Sequence, residues 1–132
     1  MNGLLVDTSV WVDLFRGKIT PSVNQFELAL KNRVDIYICG LIKTEILQGI
    51  NTDSEYVKIK RILDVYGDIP IIDSSYILAA DIYRKGRAKG ITVRKTIDCI
   101  IAALAIENKL ELLHNDKDFI GIEAITTLKV HK

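Results

Sequence analysis

A short run of large aliphatic residues, Leu4, Leu5 and Val6, stops on a carboxylate, Asp7, with Thr8 and Ser9 behind it. No polar residue alternates within the run, which is the pattern of a strand covered on both faces in a parallel sheet. Such sheets bind their ligands at the carboxyl ends of strands, and Asp7 stands at that end. Thr8 and Ser9 can cap a helix running through Val10, Trp11, Val12, Asp13 and Leu14. Taken alone, Asp7 or Thr8 as a plain helix N-cap accounts for the same residues. The two readings separate on whether further carboxylates converge on Asp7.

The remainder of the chain alternates short strands with helices. Thr20 before Pro21 predicts a helix start, with Val23, Phe26 and Leu30 as its apolar stripe. Val34, Ile36 and Ile38 alternate with Asp35, Tyr37 and Cys39 as a second strand, and Gly40 leads into a helix from about Leu41 to Leu47 that Gly49 ends. Ile59, Ile62, Leu63 and Tyr66 stripe the next helix, and Ile69, Ile71 and Ile72 read as extended. Asp73 or Ser74 caps a helix carrying Tyr76, Ala79, Ala80 and Tyr83. Thr96 is expected to cap a helix with Ile97, Ile100, Ile101, Leu104 and Ala105 as its buried seam. Leu110, Leu112 and Leu113 form another strand, and Ile122 to Val130 offers one more weak one. Repeats, low-complexity tracts and linkers are absent, so 132 residues with 48% hydrophobic content predict one α/β domain over residues 1–132.

Eighteen basic residues nearly balance 17 acidic ones, so affinity for nucleic acid must come from local clustering. One such cluster runs from Arg84, Lys85 and Arg87 to Arg94 and Lys95 with no acid in it. It fits a solvated helix end complementing the macrodipole, and equally a phosphate-contacting patch. Cys39 and Cys99 lack paired spacing and read as small core residues in a reducing compartment. With no secretory signal or membrane-length apolar run, a soluble cytoplasmic protein is expected.

Asp116, in His114, Asn115, Asp116, Lys117, Asp118, Phe119, also follows an apolar strand, while Glu45 and Asp98 lie early in helices. Glu45 shares a face with Leu41 and is flanked by Ile42 and Ile46. A partly covered carboxylate there needs a partner, for which Lys43, Lys60 or a metal ion would serve. Parallel strands would bring these ends together. Carboxylates crowded into one cleft repel unless cations sit among them, and an all-oxygen set is what Mg²⁺ or Mn²⁺ prefers. His114 and His131 show no partner in the sequence and read as surface or strand-end residues. Trp11 and Phe119 read as core or interface before base-stacking groups.

These segments resemble PIN domains, specifically the VapC-type toxins of toxin–antitoxin pairs. Leu5 to Trp11 resembles the first motif of that family, and Glu45 within Leu41 to Gly49 the second. Thr96 to Ala105, an aspartate opening an Ile- and Ala-rich helix, resembles the third, and Leu112 to Phe119 the fourth. The resemblance implies a PIN-like three-layer α/β/α fold around a central parallel sheet. It also implies an acidic quartet of Asp7, Glu45, Asp98 and Asp116 that is catalytic and holds Mg²⁺ or Mn²⁺. Asp118 competes with Asp116 for the fourth role, and His114 stands where many relatives have threonine. Ser9 would hydrogen-bond an acidic neighbour or a water, or simply cap the helix.

The implied activity is endoribonuclease hydrolysis of RNA by a metal-activated water, leaving a 5′-phosphate, with Arg84, Arg87, Arg94 and Lys95 as candidates to hold the RNA backbone. A cognate VapB-type antitoxin and a homodimer are implied partners. Other functions are an RNA-binding or RNA-processing module without a toxin role, a Mg²⁺-dependent phosphatase, or a receiver-like domain. The phosphatase wants a second aspartate where Ser9 stands, and the receiver wants adjacent acids where Val6 precedes Asp7.

Overall fold

A computed structural model describes residues 3–132. Four strands, β1 (Leu4–Val6), β2 (Ile36–Ile38), β3 (Gly67–Asp68) and β4 (Glu111–Leu113), form one sheet in the order β3-β2-β1-β4. Every pairing is parallel, with Leu4 opposite Ile36 and Val6 opposite Leu113. The helices are α1 (Thr8–Phe15), α2 (Pro21–Lys31), α3 (Gly40–Gln48), α4 (Asp53–Leu63), α5 (Asp73–Ala88), α6 (Thr96–Glu107) and α7 (Asp118–Ile125). Helices α1 to α4 pack among themselves, as do α5 to α7, giving two helical layers around the sheet. The strand order reverses at β1. The carboxyl ends of β1 and β4 therefore flank the crevice where ligands of such sheets bind.

The buried run predicted for β1 holds: Leu4, Leu5 and Val6 are all inaccessible, and Asp7 follows as the N-cap of α1. Only glycine fits just before it. Gly3 adopts φ +155°, and a Cβ there would lie 2.7 Å from the Asp35 carbonyl oxygen, which itself accepts the Leu4 N–H. Trp11 anchors α1 beneath the sheet, donating its indole N–H to the Val6 carbonyl at 3.1 Å and meeting Phe26 edge-on at 4.8 Å. Helix α6 is buried on nearly its whole circumference from Asp98 to Ala105, and Ala102, Ala103 and Ala105 permit that close approach. Phe119, Cys39 and Cys99 are core residues, and burial pushes the Cys99 thiol up to about 11.

Several elements differ from the expectation. The third strand is β3, ahead of Ile69, Ile71 and Ile72. The Ile69 N–H still reaches the Ile38 carbonyl at 2.8 Å, but Pro70 has no N–H with which to continue the ladder. The last segment is not a strand over Ile122 to Val130. Its first part lies in α7, and a single bridge pairs Val130 with Leu112, closing the open edge of β4. Neither Asp73 nor Ser74 caps α5: Asp73 is its first residue and Ile72 holds the cap position, and the helix buries Ser75, Ala79, Ile82 and Gly86 while Tyr76, Ala80 and Tyr83 face solvent. Two contacts fix that rotation. The Ser75 hydroxyl donates to Glu107 at 2.6 Å, and Gly86 runs so close to the Ile91 carbonyl that a Cβ would sit 3.1 Å from it. In α2 Ala29 joins Val23 and Phe26 in the buried face, leaving Leu30 half-buried. Thr96 does not cap α6: it is the first helical residue, and Lys95 occupies the cap position without a side-chain capping bond. No described helix is long and apolar enough to cross a membrane.

Candidate active site

Asp7 serves as cap and cleft residue at once. Its backbone N–H donates to the Leu113 carbonyl at 2.9 Å, which carries the β1–β4 ladder up to the carboxylate. Its Oδ2 accepts the Ser9 N–H at 3.1 Å, the helix-capping bond, and the Ser9 hydroxyl at 2.6 Å. Burial raises the Asp7 pKa above the ordinary carboxylate value, while the Ser9 bonds pull the other way. Ser9 Oγ also accepts the Asn115 N–H at 3.0 Å and so ties the ends of β1 and β4 together. Beside it the Thr8 hydroxyl donates to Glu45 Oε1 at 2.8 Å. Neither expected lysine partners Glu45: Lys43 pairs with Asp68 at 3.8 Å and Lys60 with Asp64 at 3.3 Å. Their positions on α3 and α4 turn them toward nearer acids.

Asp98 lies in the first turn of α6, with only 3% of its surface exposed. Among the described residues, its Oδ2 is the one buried side-chain oxygen or nitrogen that makes no hydrogen bond. Burial drives its pKa up to about 7; Lys95 opposes the rise and the nearby Asp7, Asp116 and Asp118 add to it. Asp116 shows the reverse balance. Burial pushes its pKa up, but the Asp118 N–H on Oδ1 at 3.0 Å and the Lys95 ammonium on Oδ2 at 3.3 Å hold it below the usual value. Oxygens of Asp98, Asp116 and Asp118 all lie within 4.8 Å of one another.

Asp7, Glu45, Asp98 and Asp116 line one cleft of about 410 Å³, together with Ser9 and Lys95. Asp118 is not among its lining residues, although one of its oxygens lies within 4.8 Å of Asp98 and Asp116, and it meets Arg94 at 3.3 Å. The basic stretch is divided. Arg94 and Lys95 engage the acidic cluster, whereas Arg84 and Arg87 do not line the cleft, and Arg87 lies over the Tyr83 ring, 5.8 Å from its centroid. Both histidines have partners after all. His114 Nδ1 accepts the Asp116 N–H at 3.1 Å, and burial lowers its pKa, so the ring is neutral at pH 7. His131 Nδ1 is 2.8 Å from Glu111.

Asp13, Lys18, Thr8 and Asn115 also line the cleft and were not assigned to it from the sequence. Asn115 donates to Asp13 at 3.2 Å, and Lys18 lies 3.8 Å from the same carboxylate. The one available signal was that Asp13 follows Ser9 by four residues, which puts both on one face of α1.

The donor set fits a hard divalent cation. A buried carboxylate oxygen without a hydrogen bond is costly unless something positive meets it. Here Asp98 Oδ2 has the half-exposed Lys95 ammonium at 3.9 Å, beyond hydrogen-bond reach, while carboxylate oxygens of Asp98, Asp116 and Asp118 crowd within 4.8 Å, and Mg²⁺ and Mn²⁺ take such all-oxygen ligands.

Residues 4–124 match the model of the PIN domain. The chain is 37% identical over 130 residues to Ribonuclease VapC11 of Mycobacterium tuberculosis, covering 96% of each chain. It has the same identity and coverage against VapC ribonuclease Mb1587 of Mycobacterium bovis. Among solved structures, VapBC2 from Rickettsia felis, bound to a DNA fragment from its promoter, has the same fold, with a TM-score of 0.78 and 19% identity over 99% of this chain and 98% of that one.

Proposed function

The chain belongs to the PIN domain family, and from that premise we propose that it is a metal-dependent endoribonuclease acting as the toxin of a toxin–antitoxin pair. The observation that carries the metal-dependent part is the Asp98 Oδ2 atom, buried and without a hydrogen bond among other carboxylates. Asp7, Asp98 and Asp116, with Glu45 alongside, are the residues that would hold Mg²⁺ or Mn²⁺. A bound ion of this kind supplies a lowered water pKa and positive charge for the phosphodiester as it breaks.

The chain's own residues do the rest. Ser9 fixes the Asp7 carboxylate and the Asn115 backbone at once, so the ends of β1 and β4 keep one spacing. Thr8 orients Glu45 toward the cleft. His114, accepting the Asp116 N–H on Nδ1, positions the loop that bears Asp116. Arg94 and Lys95 are the cations nearest the carboxylates, and Arg84 and Arg87 extend positive charge along α5 for the RNA backbone.

The relatives named VapC and the VapBC structure support a VapB-type antitoxin as partner. A homodimer is the other partner in this reading. The exposed Ile72, Tyr76 and Ile77 of the α5 region supply apolar surface for such contacts. The phosphatase alternative is disfavoured because the position two residues after Asp7 holds a hydroxyl committed to Asp7 and Asn115.

The test is Asp7→Asn, checked for folding by circular dichroism, with RNA product ends mapped beside the parent. A folded variant without cleavage, and 5′-phosphate ends from the parent, are expected. Equal cleavage by the variant would overturn the carboxylate mechanism, and RNA binding without cleavage by the parent in Mn²⁺ would favour an inert RNA-binding module.

A further inference from the structure

The carboxylates of the cleft are held rigidly, but the cation that meets them is not. Lys95 Nζ lies 3.3 Å from Asp116 Oδ2 and 3.9 Å from Asp98 Oδ2, the oxygen that makes no hydrogen bond. The Asp98 side chain is 5% exposed and that of Asp116 19%, whereas the Lys95 side chain is 51% exposed. Packing therefore fixes the anions and leaves the lysine stem free to rotate into solvent. Its backbone stays put, because the Lys95 carbonyl accepts the Asp98 N–H at 3.1 Å at the start of α6. The ammonium thus occupies the space between the two carboxylates from a tether that need not unfold for it to leave.

A divalent ion taken by Asp98 and Asp116 would sit within a few ångströms of that ammonium. Like charges at roughly 4 Å repel strongly in a partly buried site, so the two cations do not share the cleft. We propose that Lys95 is an exchangeable internal counter-cation: its ammonium neutralises Asp98 and Asp116 in the ion-free cleft, must swing out for a divalent ion to enter, and so sets the ion concentration at which the cleft loads. The proposal rests on the reading that this cleft holds a divalent ion. Arg94 is not equivalent to Lys95. It pairs with Asp118, outside the cleft lining.

Calorimetric titration with Mn²⁺ at pH 8 tests this on the parent, Lys95→Met, Lys95→Gln and Asp98→Asn. Both lysine variants remove the charge from a half-exposed side chain and keep its length or polarity, so a folding defect in one does not decide the matter. Each is expected to bind Mn²⁺ at least about fivefold more tightly than the parent, the order of a lost competing ion pair, while Asp98→Asn binds far more weakly. If both lysine variants bind Mn²⁺ no more tightly than the parent while Asp98→Asn loses binding, the metal site stands and the exchange is overturned. If Asp98→Asn binds as well as the parent, or the parent binds no Mn²⁺, the metal-site reading fails and the exchange falls with it.

Discussion

Replacing Asp98 by asparagine should make the ion-free protein more stable, and only above a defined pH. The carboxyl titrates near 3.8 when unperturbed and at about 7 in the folded protein, chiefly because it is buried. Between those values the folded state holds a proton that the unfolded chain has released, so stability falls as pH rises through that window. The full difference is about 3 pKa units, and at about 1.4 kcal/mol per unit the ionised carboxylate costs the fold on the order of 4 kcal/mol above pH 7. Asparagine does not ionise and escapes the cost. In chelator at pH 8, Asp98→Asn should exceed the parent by a few kcal/mol in urea unfolding, or about 10 °C in Tm for a domain of this size. The gap should shrink to about 1–2 kcal/mol at pH 5 and vanish near pH 4. Excess Mn²⁺ should close the gap, since an ion at about 1,000 times its Kd stabilises the parent by about 4 kcal/mol and the variant hardly at all. A variant no more stable than the parent at pH 8 in chelator, with no trend in pH, would refute the burial argument.

Ser9→Ala removes the hydroxyl that bridges Asp7 and Asn115, so unfolding measurements should show a loss of about 1–3 kcal/mol and RNA cleavage should fall with it. Thr8→Val should leave stability nearly unchanged but weaken Mn²⁺ binding and slow cleavage, because Glu45 loses its orienting donor. Trp11→Ala empties a site 1% exposed beneath β1 and should cost about 3–5 kcal/mol by denaturant titration. Arg84→Ala with Arg87→Ala should lower the slope of log RNA affinity against log salt by about 0.7 per lost phosphate contact, and an unchanged slope would remove α5 from the RNA path.

Much of the sheet and its acidic end was legible because one pattern encodes both. An apolar run that stops on Asp7 is a buried strand and a delivered carboxylate together, and the same holds for Leu112, Leu113 and the loop to Asp116. The cap and cleft readings of Asp7 were never exclusive, since its Oδ2 accepts the capping N–H while the carboxylate lines the cleft. What sequence concealed was long-range pairing. Glu45 is oriented by Thr8, 37 residues away, and not by the lysines nearest to hand. The buried face of α5 was not assigned from the sequence, because its tyrosines are amphipathic and stand in solvent, whereas Ser75 and Gly86 are buried through one hydrogen bond and one close backbone approach. Asp13 and Asn115 share a cleft only because β1 and β4 are neighbours, which no local spacing announces.

The most direct single measurement incubates the purified chain and its Asp98→Asn variant with structured RNAs in Mg²⁺, in Mn²⁺ and in chelator. Cleavage by the parent alone, and only with a divalent ion, is the expected result. Cleavage in chelator, or equal cleavage by Asp98→Asn, would contradict a metal-dependent nuclease centred on this buried carboxylate.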